Sequence, residues 1–298
     1  MFKKTISVTT LALFYLLTTS SVSAKKEVNV TTTKLNDKIH MLAAEGGNVG
    51  VFIGKDGTFV IDDQFAPLSD KLLAAIKSLG GDTPQFLVNT HFHGDHTGGN
   101  ENFGKKGAMI VAHYKVRERL LKGTLVKAFD MKTPPAPAIA LPVVTYSENM
   151  HFHINNDDIS IIHVPNAHTD GDSFIHFKKA NVVHTGDIFF NGFYPFIDPD
   201  NGGSLKGMIN AVDIILAVTD ADSKIIPGHG PLADKKQLEA YGEMLQTAYD
   251  NLIKLKEMGL SAEQAKAKKP LEMLDAQWGN GLFSSDKWIE VVYPAVSK

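Results

Sequence analysis

The chain has 298 residues, of which 43% are hydrophobic and 21% charged, with a net charge of −3 and no cysteine. These values describe an ordinary folded protein and exclude a disordered chain, a disulfide framework and any thiolate ligand or nucleophile. So mild an acidic balance leaves no basic footprint for nucleic acid or for an anionic membrane surface.

Lys3 and Lys4 precede an apolar run from Leu11 to Leu17, and Val22-Ser23-Ala24 then supplies small residues. That order is the order of a secretory signal, with cleavage expected after Ala24. A membrane anchor needs about 20 apolar residues, and this run is broken by Thr18, Thr19, Ser20 and Ser21. The expectation is an exported protein, periplasmic or secreted, with no stable membrane anchor after cleavage. A lipoprotein anchor is excluded because there is no cysteine to acylate. Residues 1–24 contain two lysines and no acid, so their removal moves the net charge from −3 to −5. Residues 25–298 are expected to form a single domain with a helical tail from about residue 234.

Val28 to Ala43 shows short alternating runs broken at Asn36-Asp37, which predicts paired strands. After Gly46-Gly47-Asn48, the runs Val49–Ile53 and Thr58–Ile61 flank the turn Lys55-Asp56-Gly57, a strong hairpin pattern. Asp70 to Leu79 has helical spacing and ends at Gly80-Gly81. Phe86-Leu87-Val88 reads as a short buried strand, Ala108–Val111 as another, and His113–Leu121 as a helix. Residues 130–142 contain Pro134, Pro135, Pro137 and Pro142, too many for either element, and read as a lid loop rather than a linker. Strands return at Met150–Ile154 and Ile159–Val164 around Asn155-Asn156-Asp157, then at Phe174–Phe177 and Asn181–His184. Helical spacing near Leu205–Val218, a strand at Lys224–Ile226 and a long helix at Asp234–Leu255 follow. Two further helices are expected after Ser261, the last around Ser285–Val292. Two strand groups, each followed by helices, fit a mixed α/β sandwich better than a doubly wound parallel sheet. The glycine-rich dinucleotide and phosphate-loop patterns are both absent.

The most informative segment runs from Asn89 to Asn100, where His91, His93, Asp95 and His96 fall within six residues directly after a buried strand. So many polar groups cannot easily be core. Alternation points His91 and His93 the same way, towards one ion. Asp95 and His96 follow the turn at Gly94 and face a second position. Zinc takes four or five such nitrogen and oxygen donors.

His91-x-His93-x-Asp95-His96 resembles the signature of the metallo-β-lactamase superfamily, which includes glyoxalase II, lactonases and class B β-lactamases. Later motifs follow in the family's order: Val164-Pro165-Asn166-Ala167-His168-Thr169, His184-Thr185-Gly186-Asp187 and Pro227-Gly228-His229-Gly230. Val60-Ile61-Asp62-Asp63 resembles the family's early strand, whose acid supports the metal loop from behind. The resemblance implies an αββα sandwich, two mixed sheets inside and helices outside, with two zinc ions per subunit at one edge. His91, His93 and His168 would hold one ion, Asp95, His96 and His229 the other, and Asp187 would bridge them. Iron or manganese would suit the same donors. A water shared by the two ions would be acidic enough to attack at neutral pH, with Asp95 orienting it or moving its proton.

Other histidines read differently. His151-Phe152-His153 lacks the Asp-His that should follow, and strand alternation puts both rings on a solvated face. His163, His176 and His184 read as packed or surface strand residues, and His113 as a helix-cap residue. In the aromatic run from Phe189 to Phe196, Phe193 or Tyr194 is a candidate for the substrate pocket. The substrate expected is a small acyl molecule: a β-lactam, lactone or ester. A phosphate- or sulfate-ester hydrolase is the alternative, and a non-catalytic metal-dependent accessory protein the alternative of another class.

Overall fold

The computed structural model describes Met1 and residues 28–297; the expected signal and its cleavage site lie outside the described residues. The first half supplies β1 (Thr31–Lys34), β2 (Ile39–Ala43), β3 (Val49–Gly54), β4 (Gly57–Ile61), α1 (Ser69–Ser78), β5 (Phe86–Asn89), α2 (Gly94–Thr97), α3 (Asn100–Lys105), β6 (Met109–His113), α4 (Tyr114–Lys122), β7 (Thr124–Val126), β8 (Met131–Thr133) and β9 (Val144–Tyr146). The second supplies β10 (Asn149–Ile154), β11 (Asp157–His163), β12 (Ser173–Phe177), β13 (Val182–His184), α5 (Leu205–Ala217), β14 (Lys224–Ile226), α6 (Lys235–Glu257), α7 (Ala262–Lys266), α8 (Asp275–Trp278) and α9 (Ser285–Val292).

Two mixed sheets face each other. One has the order β1-β2-β3-β4-β5-β6-β9, antiparallel up to β4 and parallel from there; the other has β10-β11-β12-β13-β14, parallel only at its last pair. Period-two alternation decides which side chains meet between them. Phe59 and Ile61 of β4 point inward against Ile159 and Ile161 of β11 and Ile175 and Phe177 of β12. Val60 between them points outward to Leu72 and Ile76 of α1 and Phe103 of α3. Phe174 and Val183 do the same on the far side, against Met208 and Val212 of α5 and Leu245 of α6. Burying each such side chain contributes about 1.5–3 kcal/mol. The layers are therefore helix, sheet, sheet, helix, as expected.

Local chemistry explains the element ends. Asn155 and Asn156 form a two-residue turn with φ of 52° and 63°, the left-handed values that a β10–β11 hairpin needs and asparagine tolerates. Asp234 caps α6 by accepting from the Gln237 N–H, while Gln237 accepts from the Asp234 N–H, so two orphan donors are satisfied.

Three expectations need correction. Residues 130–142 are not free of structure: β8 pairs antiparallel with β7, Val126 opposite Met131, and a 3-10 turn spans Ala138–Ala140. The prolines exclude strand and α-helix only after Thr133. The tail from Ser261 holds three helices, the extra one being the four-residue α8. His113 sits at the α4 N-cap position, but its side chain makes no cap. It is buried and stacked on His163 at 3.7 Å, with Nε2–H donating to Ser147 O. Burial, and the second imidazole, push its pKa down to about 4.

Candidate metal centre

The C-terminal ends of β5, β13 and β14 open on one edge of the sandwich. His91 and His93 leave β5, and His93 precedes α2, which turns Asp95 and His96 back across the same space. His168 comes from the β11–β12 loop, Asp187 from a 3-10 turn after β13, and His229 from the loop after β14. The sheets are tied together there: the Ser173 N–H donates to Thr90 O, the Asn48 N–H to Gly228 O, and Asn48 Nδ2 to the carbonyls of Pro227 and Gly230.

All seven residues singled out from the sequence are brought together; none is left outside. They form two groups, His91, His93, His168 and Asp187 in one and Asp95, His96 and His229 in the other, with donor atoms in each lying within 4.8 Å of one another. That span is close to the ~4 Å across the donors of a single ion bound at 2.0–2.2 Å. Asp187 lies between the groups. Its Oδ1 is 3.0 Å from His96 Nε2, and its Oδ2 is 3.4 Å from His229 Nε2, 3.5 Å from His168 Nε2 and 3.8 Å from His91 Nε2.

The outward ring nitrogens of four of these histidines are fixed, which decides what faces inward. His168 Nδ1–H donates to Phe196 O at 2.8 Å, and a carbonyl can only accept, so Nε2 keeps its lone pair. His93 Nε2–H donates to Asp198 Oδ2 at 3.0 Å, and His96 Nδ1–H to Asp62 Oδ2 at 2.8 Å. His91 Nδ1–H meets Thr90 Oγ1 at 3.0 Å, and that hydroxyl donates in turn to Asp62 Oδ2. Asp62 thus steadies two rings, as the sequence suggested, while the Thr90 N–H binds its other oxygen. Its φ of 61°, with 62° at Gln64, is a left-handed backbone rare outside glycine and held by the surrounding bonds.

Several of the inward atoms lack protein partners. His91 Nε2 and Asp187 Oδ1 are buried without a hydrogen bond, and His168 Nε2 faces His93 Nδ1 at 2.8 Å, two lone pairs with no proton to share. Such a cluster of buried acceptors is costly unless a cation fills it. Burial holds the His91 imidazole well below its ordinary pKa and brings His168 down to about 4, which keeps both neutral as a ligand requires. Burial also works against protonation of His229, but the carboxylates of Asp187 and Asp95 prevail and raise it to about 9. Asp95 is pushed up by burial yet held at about 2 by His96 and His229. Close packing preserves the arrangement. A Cβ on Gly47 would lie 2.0 Å from the His96 ring, and one on Gly228 would lie 2.1 Å from Asp187 Oδ1. Nitrogen and carboxylate donors in this arrangement fit a divalent metal.

A cleft of about 650 Å³ opens over the cluster, lined by His93, Asp95, Asp187 and His229 at its base. Phe193 lines it, together with Phe190 and Phe196; Tyr194 does not, being buried and stacked on Trp288 at 4.8 Å. Little in the sequence points to Asp198, which lies 105 residues from the His93 it holds. Only the Asp198-Pro199 turn pattern marks it. The β7–β8 hairpin, whose Met131 and Thr133 line the cleft, escaped as well.

His151 and His153 lie on the exposed face of β10, bonded to Ser160 and Asp158. His151→Ala is expected to leave metal content and melting temperature within ordinary error; loss of bound metal on this substitution would show that the cluster extends further.

The chain spans only about half the length of the curated relatives it matches. An acyl-coenzyme A thioesterase from Bos taurus is 23% identical over 49% of this chain and 56% of its own length. A hydroxyacylglutathione hydrolase from Mesorhizobium japonicum is 27% identical over 51% and 52%. Among solved structures, the metallo-beta-lactamase FIM-1 from Pseudomonas aeruginosa, in its mono-zinc form, superposes with a TM-score of 0.59. That match covers 75% of this chain and 98% of FIM-1 at 18% identity, a likeness of fold. The family model described as the metallo-beta-lactamase superfamily matches residues 42–229, which include every residue of both donor groups. With that match, the helix–sheet–sheet–helix layers and the donors gathered at one edge, the chain belongs to the metallo-beta-lactamase superfamily.

Proposed function

We propose that this chain is an exported metallohydrolase that holds two zinc ions and cleaves a small acyl compound: a lactam, lactone or ester. The observation that carries the reading is the convergence of five imidazoles and two carboxylates with unpartnered buried atoms facing one another. His91, His93 and His168 serve one ion and Asp95, His96 and His229 the second, with Asp187 shared. Hydrolases among the relatives support the reaction class, and the charged, apolar, small-residue order of residues 1–24 supports export. A bound divalent ion supplies Lewis acidity and makes a coordinated water acidic enough to attack at neutral pH.

The protein's own contribution is positional. Asp198, Asp62 and the Phe196 carbonyl hold the rings in one tautomer and orientation. Asp95 stays ionised and is 25% exposed to the cleft, which suits it to orient a water or accept its proton. Phe190, stacked on His229 at 5.1 Å, excludes bulk water from that side.

Purified protein supplied with zinc is expected to bind two ions and to turn over at least one of a chromogenic cephalosporin, a lactone and an aryl ester. Turnover of p-nitrophenyl phosphate alone would replace acyl with phosphoryl chemistry, and two bound ions with no turnover of any would indicate a binding role. His229 is raised to about 9 because Asp187 and Asp95 outweigh burial, so a metal must displace its proton. Zinc loading at pH 7 is therefore expected to release at least one proton, read from calorimetry in buffers of different ionisation enthalpy. Activity should fall as pH drops below neutrality; a rate unchanged down to pH 4 would contradict the ligand set.

A further inference from the structure

The cleft above the metal centre has walls of a distinct kind. Phe65, Phe129, Met131, Phe193, Phe196 and Leu282 line it, drawn from the loop after β4, the β7–β8 hairpin, the segment after Asp187 and the loop before α9. The rings form a continuous surface: Phe129 meets Phe196 edge-on at 4.9 Å and stacks with Phe283 at 5.8 Å. Phe196 in turn lies 5.6 Å from the His93 ring. At the mouth, Phe65, Phe129, Met131 and Leu282 are each more than a third exposed, an apolar rim facing water in the free protein.

Charge is as distinctive as shape. Among the described residues lining the cleft there is no lysine and no arginine; the acids are Glu45, Asp95 and Asp187, and the two histidines belong to the metal cluster. Cations near the rim are engaged or turned away. Arg119 forms a paired contact with Asp170 at 2.8 Å and also binds Asn201. Lys127 bonds to Asp200, and Lys132 alternates to the face of β8 opposite Met131 and Thr133. A carboxylate, sulfate or phosphate carried out along the aromatic wall, away from the metal donors, would lie on apolar surface without a cationic partner and near an exposed glutamate, which is strongly disfavoured.

We propose that the substrate lays an uncharged, apolar acyl chain against the aromatic wall, and that charge on that chain is excluded. This deepens, and rests on, the acyl-hydrolase reading. In the reaction a water oxygen bonds to the acyl carbon, the carbon–heteroatom bond breaks, and the leaving heteroatom takes the water's proton; no oxidant or reductant is needed.

Two measurements test it on the zinc-loaded protein. With p-nitrophenyl esters, kcat/KM should rise about fourfold per added methylene, about 250-fold from butanoate to octanoate. The hemisuccinate should fall at least about tenfold below the neutral butanoate. Independently of turnover, N-phenyl-1-naphthylamine should bind more tightly than its 8-sulfonate by at least about tenfold, read by fluorescence. Met131→Lys, an exposed position whose change should not disturb folding, should shrink both ratios. The proposal is overturned if the sulfonated dye binds as tightly as its neutral twin, or if the hemisuccinate is cleaved as fast as the butanoate. Dye preference without cleavage of any ester would sink the hydrolase reading and support the cleft assignment. Rapid cleavage of the hemisuccinate would do the reverse.

Discussion

Asp187→Ala is expected to cost at least about 1000-fold in kcat/KM, equivalent to about 4 kcal/mol of transition-state stabilisation, and to lower bound zinc from two ions per chain towards one. The reason is its place: its two oxygens approach the inward nitrogens of His91, His96, His168 and His229, so among the described residues no other side chain touches both donor groups as widely. Removing it also takes away the charge that raises His229, whose imidazole should then titrate lower in the metal-free protein. Elemental analysis of the variant beside its rate separates the two consequences. A variant that retained two ions and most of its rate would place the shared ligand elsewhere.

The second large effect is expected from a residue that touches no ion. Asp62 is fully buried and accepts from the Thr90 N–H, the Thr90 hydroxyl and His96 Nδ1–H. Asp62→Ala strands those donors, at a cost of about 1–3 kcal/mol for each one left unsatisfied. Zinc affinity should fall about 10- to 100-fold as the His91 and His96 rings lose their orientation. A competition titration against a chelator measures the affinity and a thermal melt the stability. A drop in melting temperature with unchanged zinc affinity would mean that Asp62 serves the fold alone.

How far the sequence foretells this molecule depends on whether the deciding interaction is local. The β3–β4 hairpin is legible because Lys55-Asp56-Gly57 names its own turn, and the layers are legible because alternation in β4 and β12 assigns side chains to two faces. The metal residues are legible as a dense run, His91 to His96, plus three short motifs. The β7–β8 hairpin is not, because Met131, Lys132 and Thr133 are all exposed and carry no alternation, while the prolines beyond them suggest a loop. Nor is Asp198, since its role exists only once the chain returns to His93. Phe193 and Tyr194 show the limit of adjacency. They are neighbours in sequence, but one faces the cleft and the other donates to Asp275 beneath it.

The cross-ties at the site edge have a kinetic meaning. Asn48 grips the Pro227–Gly230 loop, His184 Nε2 reaches back to Asn48 O, and Ser173 is bonded to Thr90. The donors for one cation thus come from opposite slabs of the sandwich, riveted where they meet. The segments that carry the donors are tied across this edge, so release is expected to need the slabs to part. Stripping by a chelator should then be slow and steeply temperature-dependent, governed by breathing of the whole edge rather than by the strength of any one bond to the ion.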